Sequence, residues 1–599
     1  MGTLDRLAGT WRTVRHGLPL MRLKLDTPRT VADVVEEQAR RRPQHPFVLY
    51  EDRRVTYAAL DAAANRVARW ARAQGLGRGD RVALLMLNRP EYLETWIGLA
   101  KAGVTTALIN TNLTGRGLQH AIAVADAKHA IVGAECLGTY ATLEGDASWQ
   151  LHVRGDPESG RADLPRGARE LDGELAAQSG TGLPADFREA CRAGDDVFYI
   201  YTSGTTGLPK AARFSHLKFM TASTLGRIAG LGRDDVMYCA LPLYHTAGGV
   251  AAAGAALLAG GTVAVRRKFS AREFWSDVRR HEATTFQYIG EFCRYLLHVP
   301  PDPRDGEHGL RFCIGNGLRP DIWAAFRDRF QIPRIVEFYG ATEGNLALVN
   351  LEGREGAVGR VASKLIMDAR LVRYDVERDE HVRDAAGRLV PCKPGEVGEL
   401  IGALPRRADD TRGRFEGYTS AEATERKILR NAFADGDAFF RTGDLLKTDT
   451  AGYFYFVDRI GDTFRWKGEN VSTQEVAEAI AAFPGVKMAN PYGVELPGAD
   501  GRAGMVALVL EDPARFDGAA LYAHARATLP VYATPAFLRL QPEAELTGTF
   551  KLRKVDLQRE GYDPALVADP LFVRDDDARA YVPLTAERHA ALRAGEHRL

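Results

Sequence analysis

Cysteine is scarce and scattered: Cys136, Cys191, Cys239, Cys293, Cys313 and Cys392 lie far apart, with no Cys-x-x-Cys pair. That spacing excludes a disulfide framework, argues against a thiolate metal centre, and fits a reducing cytoplasm. Net charge is nearly absent too, +1 from 79 Lys and Arg against 78 Asp and Glu. No global field therefore draws the chain onto nucleic acid or an anionic bilayer, and any bound anion must be held by local groups. Lysine is rare, fourteen residues against sixty-five arginines, so a lysine inside a motif is less incidental. No apolar core with a small-residue cleavage site opens the chain, so secretion is not expected. What is there is ordinary: 45% hydrophobic and 26% charged residues, which excludes disordered and collagen-like chains. The 599 residues allow about four domains at ~150 residues each, fewer if large α/β units are present.

One uncharged run, Thr246 to Val265, is long enough to span a bilayer. It is mostly Ala and Gly, so insertion would gain little, and it reads as a buried helix running into a core strand. In the first twenty residues Leu4, Leu7, Trp11, Val14 and Leu18 recur at helical spacing, with Arg6, Arg12 and Arg15 on other faces. Two readings stand open: an interfacial membrane helix, or a helix docked on the protein's own surface.

From Phe47 onward, short apolar runs alternate with helical patterns: Phe47–Tyr50, a helix through Leu60, Ala64, Val67 and Ala71, Arg81–Met86, a helix from Pro90 to Ala102, and Thr105–Ile109. Such alternation predicts parallel α/β layers. The polar stretch Gly155–Gly182 reads as a surface excursion. A boundary falls near Asp458. Beyond it come a strand at Thr463–Trp466, the capping box Ser472-Thr-Gln-Glu475 opening a helix at Val476, a strand at Met505–Leu510 and a helix over Asp517–Ala527. The expected architecture is an N-terminal segment 1–30, a large α/β region 31–457, a junction 458–462 and a smaller α+β region 463–599.

The sharpest local signal is Tyr201-Thr-Ser-Gly-Thr-Thr-Gly-Leu-Pro-Lys210, directly after the apolar strand Val197–Tyr201. Glycines let backbone amides approach an anion, and hydroxyls plus one ammonium add donors, so the loop is suited to phosphate. It is not a Walker A loop, because Gly204 and Gly207 are three apart and Lys210 follows a proline. Read alone, such a loop is as readily an ordinary turn.

In company the loop resembles the phosphate loop of acyl-adenylate-forming enzymes. Three further matches follow in order: Glu337-Phe-Tyr-Gly-Ala-Thr-Glu343, Arg441-Thr-Gly-Asp444 and Asp458-Arg-Ile-Gly-Asp462. Within that superfamily, Asp458 to Thr473, Ile289-Gly-Glu291, Gly315-Asn-Gly-Leu-Arg-Pro320 and Thr547-Gly-Thr-Phe-Lys551 resemble the fatty acid transport protein and very long-chain acyl-CoA synthetase family. Two departures stand out from the wider superfamily: Gly461 in place of a basic hinge residue, and Lys551 in an altered motif with Lys554 as a rival. Animal members usually carry an N-terminal spanning helix, and this chain has no such segment in its sequence.

The resemblance implies a large adenylate-forming domain with a smaller hinged C-terminal domain, and a ligase joining a long- or very long-chain fatty acid to coenzyme A through an acyl-adenylate. ATP, Mg²⁺ and coenzyme A are the expected cofactors and co-substrates, with no nucleic acid partner. The expected compartment is the cytoplasm, with peripheral contact at the inner face of the cell membrane. Thr202, Ser203, Gly204, Thr205, Thr206, Gly207 and Lys210 would hold phosphates. Tyr339, Gly340 and Thr342 would pack on the base, Asp444 would hold the ribose hydroxyls, and Asn316 and Arg459 would also bind ATP. Glu343 would ligate Mg²⁺, and Lys551, with Glu343 and Thr205, would be catalytic. His245, in Leu241-Pro-Leu-Tyr-His245, with Gly290 and Glu291 would face the acid, Gly468 the pantetheine arm, and Asp462 would be the hinge. Rival acids (bile or aryl), loading onto a carrier protein, and a fatty-acid uptake protein with secondary synthetase activity all leave the nucleotide motifs unchanged. Acyl chain length and oligomeric state are not legible in one sequence.

Overall fold

The computed structural model describes all residues except 1–10, 18, 21, 146–147, 160–162, 203–207, 362–366, 377, 408–409, 468, 498–500, 546–551, 553 and 595–599, and the Val555 side chain. Strand counts below refer to the described residues.

Two mainly parallel sheets form the large region. The first runs Arg169–Glu170, Gln150–Arg154, His129–Gly133, Arg81–Leu85, Thr105–Leu108, Asp196–Thr202, Lys210–Ser215. Its neighbours are parallel up to Asp196–Thr202, which pairs antiparallel with Lys210–Ser215. The second has eight strands, with Val236–Cys239, Thr285–Ile289, Phe312–Asn316 and Ile335–Gly340 parallel in its centre and antiparallel strands at both edges.

Both sheets contribute to one core, Val82, Leu84, Phe198 and Ile200 from the first meeting Val48, Met237, Val263 and Ile314 from the second. Helix Pro90–Lys101 is buried along its whole length. A helix with no solvent face must satisfy any charge internally. Lys101, fully buried, does so through Asp61 (2.6 Å), Asn65 (2.7 Å) and Glu36 (3.2 Å).

The alternation of strands and helices is as expected within one or two residues: Pro46–Tyr50, Tyr57–Ala73, Arg81–Leu85, Pro90–Lys101 and Thr105–Leu108. The uncharged run forms a π-helix, Thr246–Gly254, then helix Ala255–Ala259 and strand Thr262–Val265. Glycine is required there, since a Cβ at Gly248 would lie 2.3 Å from the Pro242 carbonyl oxygen. Among the described residues no helix is long and apolar enough to cross a membrane.

Two expectations need correction. Residues 155–182 are not only a surface excursion: Arg169–Glu170 adds an edge strand, and helix Leu171–Ala176 buries Leu171 and Leu175. Two leucines anchor a segment whose composition is otherwise polar. The C-terminal helix begins at Thr473, not Val476, because Ser472 is itself the N-cap and its hydroxyl accepts from Glu475 N.

A third, antiparallel sheet carries Ala369–Asp375, Gly398–Ala403 and Ala438–Thr448, with Phe454–Arg459 also on the last. After it, a hairpin (Phe464–Trp466, Glu469–Val471) and a five-stranded sheet build a separate core running from Phe464 to Leu592. Near the other terminus, residues 11–17 are helical. Arg12 Nε donates to the Ile228 carbonyl (3.1 Å), while Trp11 and Val14 face outward, 57% and 49% exposed.

Candidate functional site

Parallel strands present their carboxyl ends on one edge, where ligands of α/β sheets commonly bind. Here those ends carry the motifs. Thr285–Ile289 leads into Gly290 and Glu291, Phe312–Asn316 ends on Asn316, and Ile335–Gly340 ends on Tyr339 and Gly340. In the first sheet, Thr202 and Lys210 are paired residues of adjacent antiparallel strands. Ser203, Gly204, Thr205, Thr206 and Gly207 lie outside the described residues, as do Gly468 and Lys551.

Three motifs distant in sequence converge. The Tyr339 hydroxyl donates to Asp444 Oδ2, and Arg459 Nε stands 3.7 Å from Asp444 Oδ1. Asp444, within strand Ala438–Thr448, is fixed by its neighbours. Gly443, at φ +81°, takes a backbone conformation that side chains disfavour, and its N–H donates to Glu399 Oε1 (3.0 Å). Glu399 is fully buried. Burial alone would raise its pKa, but bonding to His381 and Arg441 holds it below the usual carboxylate value. Thr442 Oγ1 accepts from Asp444 N (3.1 Å) and donates to the Leu400 carbonyl (2.6 Å).

Glu343 is held at two atoms. Its Oε1 accepts from the Tyr418 hydroxyl (2.9 Å), and its carbonyl accepts from Lys218 Nζ (3.0 Å). One residue earlier, Thr342 Oγ1 bonds Thr246 Oγ1 (2.9 Å), tying this turn to the start of the π-helix. His245 is the N-cap of that helix, Nδ1 accepting from Ala247 N (3.4 Å).

Glu337 opens the same motif yet faces inward. It is buried and accepts from the Tyr288 hydroxyl and from Gly317 and Leu318 N–H. Burial, outweighing these bonds, pushes its pKa up to about 8. Gly290 has a packing reason as well, since a Cβ there would lie 1.6 Å from the Gly317 carbonyl oxygen. Glu291 faces Arg319 at 3.7 Å.

At the junction, Asp458 accepts from Thr473 N (2.6 Å), Thr473 Oγ1 (3.1 Å) and Thr463 Oγ1 (3.1 Å). Burial raises its pKa, with the Lys554 cation opposing. Gly461 follows at φ +93°. Lys554, the rival to Lys551, is engaged at this junction. It heads helix Val555–Glu560, and Nζ donates to Asp462 Oδ2 (3.1 Å) and Thr473 Oγ1 (2.9 Å).

Residues 35–405 match the model of the AMP-binding enzyme family. Long-chain fatty acid transport protein 2 of Rattus norvegicus is 40% identical over 572 residues, 94% of this chain and 90% of that protein. Long-chain fatty acid transport protein 3 of Homo sapiens is 42% identical over 622 aligned residues, with 94% and 90% covered. The chain belongs to the long-chain fatty acid transport protein family of AMP-binding enzymes. Among solved structures, the anthranilate CoA ligase AuaEII in complex with anthranoyl-AMP superposes with a TM-score of 0.74 at 21% identity, covering 90% of this chain and 98% of that one. That likeness identifies the fold: a large adenylate-forming domain with a smaller C-terminal domain. Family membership accounts for the four motifs in order. It does not by itself explain Tyr418, Lys218, Glu399 or Thr246, which no spacing in the sequence connects to Glu343, Asp444 or Thr342 and which only folding brings there.

Proposed function

We propose that this chain is an ATP-dependent ligase that converts a long- or very long-chain fatty acid to its acyl-CoA thioester. The acid carboxylate attacks the α-phosphate of ATP, pyrophosphate leaves, and the thiol of coenzyme A then attacks the acyl-adenylate carbonyl to release AMP. The observation that carries this reading is the Tyr339–Asp444 contact, where two nucleotide motifs distant in the sequence close on one another, Tyr339 at the end of its strand. Neither step needs a protein nucleophile, so positioning and local charge do the work.

The domain reading is 31–457 for adenylation and 463–599 for the mobile part, hinged at 458–462 around Asp462. Thr202 and Lys210, with the loop between them, hold phosphate. Asn316, Gly340 and Thr342 border the base, with Tyr339. Asp444 and Arg459 take the ribose hydroxyls. Glu343 fits a magnesium ligand: Oε1 is occupied by Tyr418, and Oε2 takes no hydrogen bond from a described residue. A hard carboxylate oxygen of this kind suits Mg²⁺, which would neutralise phosphate charge. Lys551 is the cation of the adenylation step. His245 and Glu291 border the acid, Gly290 shapes that border by close packing, and Gly468 admits the pantetheine arm. The protein works in the cytoplasm, with reversible contact at the inner face of the membrane.

The relatives' name, fatty acid transport protein, also fits this chemistry, because thioester formation traps an incoming acid. The test is ATP-dependent pyrophosphate release across long-chain, very long-chain, aryl and bile acids, followed by detection of the acyl-CoA. A preference for aryl or bile acids would overturn the acid assignment, and pyrophosphate release without acyl-CoA would point to another acceptor.

A further inference from the structure

Tyr418 lies outside the motifs quoted above, yet its hydroxyl lies on the one carboxylate read above as the magnesium ligand. Three separate elements fix it there. Residues 416–419 run antiparallel beside strand Lys210–Ser215, with Arg213 N donating to the Gly417 carbonyl and Thr419 N to the Ala211 carbonyl (both 3.0 Å), and with Ala212 and Tyr418 bridged. Glu416 accepts from Ser215 N (2.8 Å) and from the Ser215 hydroxyl. Tyr418 N donates to Thr424 Oγ1 (2.9 Å) in the turn that opens helix Ala421–Glu425. The ring is buried, 7% exposed, against Ala212 and Ala423. Lys218, three residues after Ser215, grips the carbonyl of the same Glu343.

Resting on the reading of Glu343 as metal ligand, we infer that Tyr418 is a positioning residue for the divalent cation. Its O–H donates to Oε1 and so turns Oε2 toward the metal, while its backbone couples that carboxylate to the strand that begins with Lys210. The physical ground is that a free glutamate samples several rotamers, and a metal gains only from the one that presents its oxygen. A phenol anchored at both ring and backbone removes that freedom. It also explains why strand Lys210–Ser215 carries an extra segment on its outer edge: that edge connects the strand that begins with Lys210 to Glu343.

The bland alternative is that Tyr418 only fills the small apolar contact with Ala212 and Ala423. Tyr418→Phe separates the two, since it keeps the ring and removes the hydroxyl. The readout is calorimetric ATP binding to the full chain at a series of Mg²⁺ concentrations, without acid, so that no turnover contributes. The expected result is a roughly tenfold rise in the Mg²⁺ concentration that half-saturates ATP binding, the usual cost of losing a group that orients a metal ligand. ATP affinity without Mg²⁺ should stay unchanged. Glu343→Gln is measured in parallel. If it raises the Mg²⁺ requirement and Tyr418→Phe does not, the positioning role is wrong while the ligand reading stands. If Glu343→Gln has no effect either, the ligand reading fails first. A loss of ATP affinity in Tyr418→Phe at every Mg²⁺ concentration, zero included, would assign the residue to packing and overturn the proposal.

Discussion

Glu337 and Glu343 sit six residues apart in one motif and do opposite things. Glu343 meets the Tyr418 hydroxyl and the Lys218 ammonium. Glu337 is buried with three donors around it, and burial still pushes its pKa up to about 8. Because the folded-state pKa lies above the ordinary value of 4.5, the native state holds a proton that the unfolded chain has released. Stability from this group is therefore fully present below about pH 4.5 and is lost as pH rises toward 8. Glu337→Gln keeps an acceptor for the Gly317 and Leu318 N–H groups and cannot ionise. The variant should lose the part of the decline in melting temperature between pH 5 and 8.5 that wild type owes to this site, so that the gap between the two proteins widens in the variant's favour on the alkaline side by a few degrees. Parallel melting curves across that range would remove Glu337 as the titrating group. The same pair shows what a sequence conveys at this scale. Motif resemblance singled out Glu343, Tyr339 and Asp444, and the fold brings the last two into contact. The resemblance carried nothing about Tyr418 or Lys218, because a hydrogen bond between positions 343 and 418 leaves no periodicity behind.

Elements were legible where one face or one cap determines them. The apolar runs gave parallel strands because only a doubly covered sheet buries both faces, and Ser472 gave a helix start, though placed three residues late by counting from the box's far end. Segment 155–182 was misread since two buried leucines weigh little in a composition. The junction is where the sequence left a choice that packing now sharpens. Lys551 and Lys554 are three residues apart, and Lys554 is committed to Asp462 and Thr473, which leaves it a poor candidate for the cation of adenylation. Lys551→Ala should slow acyl-adenylate formation by about 10²–10³-fold, the typical cost of one charge-stabilising donor, and spare thioester formation from supplied adenylate. Lys554→Ala removes a partly exposed ion pair worth little in stability, so it should change the ratio of the two half-reaction rates by roughly two- to fivefold through the freed Asp462. Measured separately, an unaltered ratio would mean that the contact has no part in domain rotation, and equal loss of both steps in Lys551→Ala would indicate a damaged fold.

The whole molecule has almost no net charge, so attraction to a membrane must come from a local surface. Residues 11–17 offer one. Arg12 fastens the helix to the body through the Ile228 carbonyl, Arg15 lies over the Trp11 ring at 4.8 Å, and His16 is held well below its ordinary pKa, at about 4, by burial first and then by Arg227, Arg15 and Arg12. A neutral His16 packed inward with arginines beside it leaves Trp11 and Val14 as the outward apolar pair. One face of this helix docks through Arg12, and the other exposes Trp11 and Val14. An indole suits the interface between headgroup and acyl chain, and basic neighbours add attraction to anionic lipid, but one short helix gives only weak, reversible binding. Trp11→Ala with Val14→Ser leaves the Arg12 contact in place, so it tests the outer face without undocking the helix. Sedimentation with phosphatidylglycerol vesicles should move protein from pellet to supernatant, and raised salt should weaken wild-type binding through screening of the arginines. The double variant should retain pyrophosphate release with soluble acid. If the double variant pellets as wild type does, the membrane contact lies elsewhere on the surface, and if neither pellets, the helix serves only the protein's own fold.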